Sequence, residues 1–153
     1  MDKTDLKILE ILQDNCRISL RDIAHSVGLS SPSVVERIRK LEKKGILKGY
    51  RAIVDARNVG KDITAFIGVS VSHPQQIGPF EAEIGKLIDV LECHHVTGEH
   101  AFMLKVKTEN TSTLENLISR VRSIEGVTQT LTSVVLSTPI EKTALHFNSH
   151  PEE

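Results

Sequence analysis

The chain has 153 residues, with 19 Lys and Arg against 20 Asp and Glu, enough for one ordinary domain or two small ones. Hydrophobic residues make up 39% but aromatics only 3%, so any core must be largely aliphatic. No apolar run approaches the ~20 residues of a membrane span. The start MDKTDLK lacks a secretory pattern, and Cys16 and Cys93 form no paired motif, which together predict a cytoplasmic protein with reduced thiols.

The net charge of −1 conceals an asymmetry. Residues 1–61 hold 13 Lys and Arg against 8 Asp and Glu, whereas residues 62–153 hold 6 against 12. A basic N-terminal third suits phosphates, and the acidic remainder repels them.

Residues 2–14 read as a first helix. Asp2 is placed to cap it, Asp5 favours its first turn, and Leu6, Ile8, Leu9 and Leu12 form an apolar stripe. Ser19 caps a second helix in which Leu20, Ile23, Ala24 and Val27 share a face, and Gly28 stands where a left-handed C-cap is needed. Ser31 then caps a third helix opening on Pro32, with Val35, Ile38 and Leu41 inward and Ser33, Arg37, Lys40 and Lys44 in a row on another face. This is the layout of a helix-turn-helix, whose second helix enters the major groove of DNA. Gly45 ends it, and Ile46 to Val54 alternates loosely like a short strand or wing. RNVGKD (57–62) is polar, contains a glycine and coincides with the change in charge sign, so a domain boundary belongs there.

Beyond residue 63 the periodicity becomes strand-like, with Ala65, Ile67, Val69 and Val71 alternating until His73-Pro74. Ile77, Phe80, Ile84, Leu87, Ile88 and Leu91 carry a helical stripe. Strands follow over Leu91 to Thr97 and His100 to Lys107, separated by Gly98-Glu99. A helix marked by Leu114, Leu117, Ile118, Val121 and Ile124 ends at Gly126, and Val127 to Ser137 is a last strand. The order βαββαβ contains a repeat, because AFIGVSV (65–71) aligns with AFMLKVK (101–107). Two such halves make a ferredoxin-like unit, one antiparallel sheet with two helices on one face. Its uncovered face predicts a partner chain and therefore a dimer. The fold class is α+β, with a helix-turn-helix domain over 1–50, a connecting strand and linker over 51–62 and the ferredoxin-like domain over 63–153.

LKILEILQDNCRIS (6–19), GLSSPSVVERIRKLEKKGILKGY (28–50), ECHHVTGEHAFMLKVK (92–107) and GVTQTLTSVVL (126–136) together resemble the leucine-responsive regulator/asparagine-synthetase regulator (Lrp/AsnC, feast/famine) family of transcription factors. The resemblance implies a DNA-binding regulator of palindromic operators, whose dimers assemble into tetramers or octamers and whose second domain binds a small effector such as an amino acid. It matches Gly98, Glu99, His100 and Ala101 to the family's effector loop, and Thr130, Thr132, Ser133 and Val134 to the strand facing it. Ala101 is a departure, since relatives often carry an acid there that meets a ligand's amino group.

For DNA contact the chosen residues are Ser31, Ser33, Arg37 and Lys40, with Arg21 on backbone phosphate. Ser bonds phosphates or base edges, Arg is bidentate to guanine, and free N–H groups at the helix start attract phosphate. Glu36–Lys40 is well oriented as an i,i+4 pair. Cys93, His94, His95 and His100 invite a metal reading, but strand alternation splits them and no second cluster completes a tetrahedral set, so no metal or cofactor is assigned. No nucleophile elbow, P-loop, GxGxxG or HExxH is present, so the chain reads as no enzyme. Two alternatives stay open: an effector-independent architectural DNA-binding protein, and a small-molecule-binding protein or enzyme built on the ferredoxin-like domain.

Overall fold

The computed structural model describes residues 1–147, so the end of the expected second domain, 148–153, lies outside the described residues. The chain divides into two units, Met1–Ile53 with the segment from Ile140, and Val54–Pro139. The segment from Ile140 joins the helical unit because Gln13 grips it. The Gln13 carboxamide donates to the Leu145 carbonyl at 3.0 Å and accepts from the Leu145 N–H at 2.7 Å.

In the helical unit α1 spans Lys3–Asp14, α2 Leu20–Val27 and α3 Ser31–Lys43. Asp2 and Asp5 form a reciprocal capping box on α1, with Asp5 N–H to Asp2 Oδ1 at 2.8 Å and Asp2 N–H to Asp5 Oδ2 at 3.1 Å. Ser19 caps α2, and Gly28 closes it at φ 68°, a conformation that a Cβ disfavours. Two details of α3 differ from expectation. Its N-cap is Ser30, whose hydroxyl accepts from the Ser33 N–H, so Ser31 is already helical and Pro32 follows it. Val34 rather than Val35 is fully buried, because Val34, Ile38 and Leu41, at i, i+4 and i+7, share a narrower face than Val35 does with the other two. Ile8, Leu12, Ile23, Ala24, Val34 and Ile38 make the core, with no aromatic ring among them. Residues 46–54 form no strand, since they have no ladder partner, and Ile53 and Val54 stay exposed.

In the second unit β1 is Ile63–Val71, α4 Ile77–Ile84, β2 Val90–His95, β3 Phe102–Thr108, α5 Thr111–Arg122 and β4 Val127–Val134. The βαββαβ order gives an antiparallel sheet in the order β2-β3-β1-β4. The internal repeat puts its two related strands side by side at the centre, with Ala65 opposite Val106 and Val69 opposite Phe102. Ala65, Ile67, Val69, Phe102, Leu104 and Val106 all face α4 and α5, where Phe80, Ile84, Leu114, Leu117 and Val121 complete the core. Phe80 and Phe102 lie with ring centroids 4.6 Å apart. The helical stripe overran its helix. α4 stops at Ile84, Ile88 is exposed and Leu91 belongs to β2, since apolar residues on either side of a helix–strand junction mimic one period. On the sheet's other face Phe66 is 40% exposed and Leu131 55%, so that face is uncovered within one chain.

Candidate nucleic-acid interface and effector site

The expected row of α3 lines one cleft. Ser33, Glu36, Arg37, Lys40 and Lys44 face Met1, Asp5, Leu29 and Ile46 around a space of about 330 Å³. Lys40 pairs with Glu36 at 2.8 Å, and its hydrogen bond and charge hold the Glu36 carboxyl below the usual range. Both side chains are 67% exposed, so the pair contributes little to stability and Lys40 is free to exchange Glu36 for a phosphate. The Ser33 hydroxyl lies 2.8 Å from that of Ser30 at the start of α3. Ser31 is half-buried on the first turn, and Arg21 is exposed on α2. Tyr50 donates to Glu42 Oε1 at 3.1 Å, fastening the segment after α3 to the helix. Burial, then this acid, raises the Tyr50 hydroxyl's pKa.

Arg37 has partners that periodicity did not reveal. Its Nη1 donates to Asp2 Oδ2 and to Asp5 Oδ1, both at 2.7 Å, leaving the side chain 31% exposed. Its hydrogen bonds to Asp2 and then Asp5 hold Arg37 still more firmly protonated. The Asp5 N–H first and Arg37 second lower the Asp2 carboxyl. The signal was present in the sequence, because each capping carboxylate uses one oxygen on the backbone and keeps the other for a cation.

In the second unit the Val96 N–H donates to the Ala101 carbonyl at 2.9 Å and closes the turn that holds Gly98 at φ 131°. Glu99 is exposed and Ala101 half-buried. His100 folds onto the sheet's open face and is 8% exposed, its Nδ1 3.2 Å from Ser70 Oγ and its Nε2 buried without a partner. The ring lies so close over Gly68 that a Cβ there would sit 2.4 Å from His100 Cδ2. Thr130, Thr132 and Val134 alternate on the face shared with Val69, Ile67 and Ala65, while Ser133 pairs with Phe66 on the open face. Thr130 also accepts from Arg122 Nε at 2.8 Å. The expected β4 residues are spread along β1. Thr130 pairs with Val69, next to the Ser70 that His100 meets, whereas Val134 pairs with Ala65, about 16 Å back along β1 from Ser70. Strand alternation also separates the histidines, since Cys93 and His95 pair with core-facing Leu104 and Phe102, and His94 with Met103. Among the described residues no group of three or more His, Cys, Asp or Glu is placed to hold a metal, and no helix is long and apolar enough to cross a membrane.

Comparison with known proteins supports both units. Residues 1–48 match a winged helix-turn-helix DNA-binding domain, and residues 64–145 match the Lrp/AsnC ligand binding domain. The chain is 34% identical to the HTH-type transcriptional regulator FL11 of Pyrococcus horikoshii, over 95% of each protein. It is 36% identical to the leucine-responsive regulatory protein of Rhizobium meliloti over 77% of each. Among solved structures, a transcriptional regulator from Neisseria meningitidis in complex with L-Met superposes with a TM-score of 0.89 at 31% identity, covering 95% of this chain and 96% of that one. AsnC of E. coli gives 0.87 at 29% identity, covering 94% and 97%. A helix-turn-helix carrying a basic row, joined to a ferredoxin-like unit, is thus accounted for as a whole, and the chain belongs to the Lrp/AsnC family of DNA-binding transcriptional regulators whose second domain takes a small-molecule ligand.

Proposed function

We propose that the chain binds palindromic DNA as a homo-oligomer, a dimer or a tetramer or octamer assembled from dimers, and that a small molecule tunes this binding. The reading assigns it no catalytic role and, given a DNA target, a cytoplasmic place of action. The contacts it assigns to DNA are Ser31, Ser33, Arg37 and Lys40 on the recognition helix and Arg21 on phosphate. The observation that carries it is the cleft along α3, where Ser33, Arg37, Lys40 and Lys44 line one wall. The exposed Phe66 and Leu131 on the open sheet face support pairing with a second copy, because one module offers few phosphate contacts. The ligand reading assigns Gly98, Glu99, His100 and Ala101 to one wall and Thr130, Thr132, Ser133 and Val134 to the facing strand. A neighbour in solved structures carries L-Met, which makes an amino acid the first ligand class to test.

Fluorescence anisotropy with a DNA fragment from the gene's own upstream region, at 50 and 200 mM salt, tests the DNA reading. Affinity should fall at least tenfold over that range, and Lys40→Ala should flatten the slope by about one counterion without changing oligomer mass. A salt-independent affinity, or none above background, rejects it. Ala101 favours a second reading, an effector-independent architectural protein, since no carboxylate stands at that position to meet an amino group. Thermal shift across the twenty amino acids separates the two, because only the regulator reading expects a stabilising ligand.

A further inference from the structure

The oxygens of Asp2 and Asp5 are divided without remainder. One from each caps α1 by bonding the other residue's N–H, and one from each accepts from Arg37 Nη1 at 2.7 Å. The capping box thus locks the carboxylates, and the carboxylates lock the guanidinium. Both bonds fall on a single nitrogen. The remaining donors, Nε and Nη2, have no partner among the described residues. Arg37 stands between Ser33 and Lys40 on the cleft-lining row, and the side chain is still 31% exposed. A purely structural arginine buries its fork in the tie, with two nitrogens on one carboxylate. This one is held by a corner.

We propose that Asp2 and Asp5 are positioning residues for DNA recognition, holding Arg37 by Nη1 so that its other edge is presented to a base edge in the major groove. The inference rests on the reading of α3 as the recognition helix. A long arginine loses rotamer freedom on binding, and a guanidinium already fixed in plane loses less of it at the moment of contact. Orientation matters most for a bidentate contact to guanine O6 and N7, and little for a phosphate reached from any direction. The prediction therefore concerns specificity. It also opposes simple electrostatics, in which removing an acid beside DNA strengthens binding.

The experiment compares two duplexes, one enriched from a randomised pool by the wild-type protein and one of scrambled sequence, at fixed salt. Asp5→Asn should weaken binding to the enriched duplex about tenfold and tighten binding to the scrambled one. The ratio of the two affinities does not respond to the folded fraction, since both duplexes report on the same sample. Asp5→Glu, which can cap and still reach Arg37, should restore part of the ratio. In an Arg37→Ala background, Asp5→Asn should leave the ratio where Arg37→Ala put it. Equal changes toward both duplexes, or a loss that persists without Arg37, overturn the proposal and make the clamp a tie between α1 and α3. If the wild type enriches no sequence at all, the reading of α3 as a sequence-specific recognition helix fails as well, an outcome distinct from the first two.

Discussion

The two units of this chain solve the problem of holding a fold together in different ways. The sheet unit buries Phe80 and Phe102 with ring centroids 4.6 Å apart, and the exposed His95 ring stacks on Phe102 at 4.9 Å. The helical unit has an all-aliphatic core, eight buried side chains among the described residues, and each of its three helices begins on a side-chain cap. About fifty residues cannot bury much surface, and a unit that presents a polar face to DNA gives up part of what it has. Caps and the Arg37 clamp supply orientation where packing is thin. The sheet unit gains its order from packing and can leave one face of its sheet open. The difference teaches that polar substitutions should be felt most in the first unit and volume changes most in the second.

The largest effect that would test this is Phe102→Ala. It should cost about 3–5 kcal/mol in urea unfolding, and a loss near 1 kcal/mol would show that the aromatic centre is not what holds the sheet unit. Next comes Gly68→Ala, whose Cβ would lie 2.4 Å from His100 Cδ2 and 2.8 Å from Cγ. The imidazole must leave its place, and overpacking of this kind costs about 1–3 kcal/mol. The double variant Gly68→Ala with His100→Ala removes the ring as well, so it should be more stable than the sum of the two single changes. Strict additivity would mean that ring and glycine are not in contact. In the helical unit Ser30→Ala should cost about 1 kcal/mol, while Ser31→Ala, on the first helical turn, should stay within about 0.5 kcal/mol. Reversed values would return the cap to Ser31.

Much of this architecture was legible in the sequence. Period, caps and turn glycines are local, and Ser19, Gly28 and the 36-residue repeat needed only neighbours to be read. The Ser30 cap was missed by one residue because three consecutive serines offer the same hydroxyl, and only the turn geometry chooses between them. The candidate sites were less legible because their contacts join distant residues. Arg37 meets acids 32 and 35 positions away, His100 meets Ser70 across 30, and Gln13 holds Leu145 across 132. No periodicity encodes such pairings. They follow from helix and strand packing, which one sequence specifies only through the finished fold. The exposed Ile46–Val54 segment is the converse case, a strand-like pattern with nothing in the chain to pair with.

The smallest expected effect concerns pH and the first unit alone. Asp2 is a fully exposed carboxyl held below its usual value of 3.8, first by the Asp5 N–H and then by Arg37. A group whose pKa is depressed on folding contributes stability above its unfolded pKa, and that contribution fades as pH falls through the folded one. Wild type should therefore lose stability below about pH 4 more steeply than Asp2→Asn, which keeps a capping oxygen but carries no charge. Urea midpoints at pH 7 and pH 3 give the measurement, and the gap between the two proteins should narrow at the lower pH. Because the site is open to solvent, the gap should also shrink at 1 M salt. A gap that is the same at both pH values would mean that the Asp2 charge gains nothing on folding, from the Asp5 N–H or from Arg37.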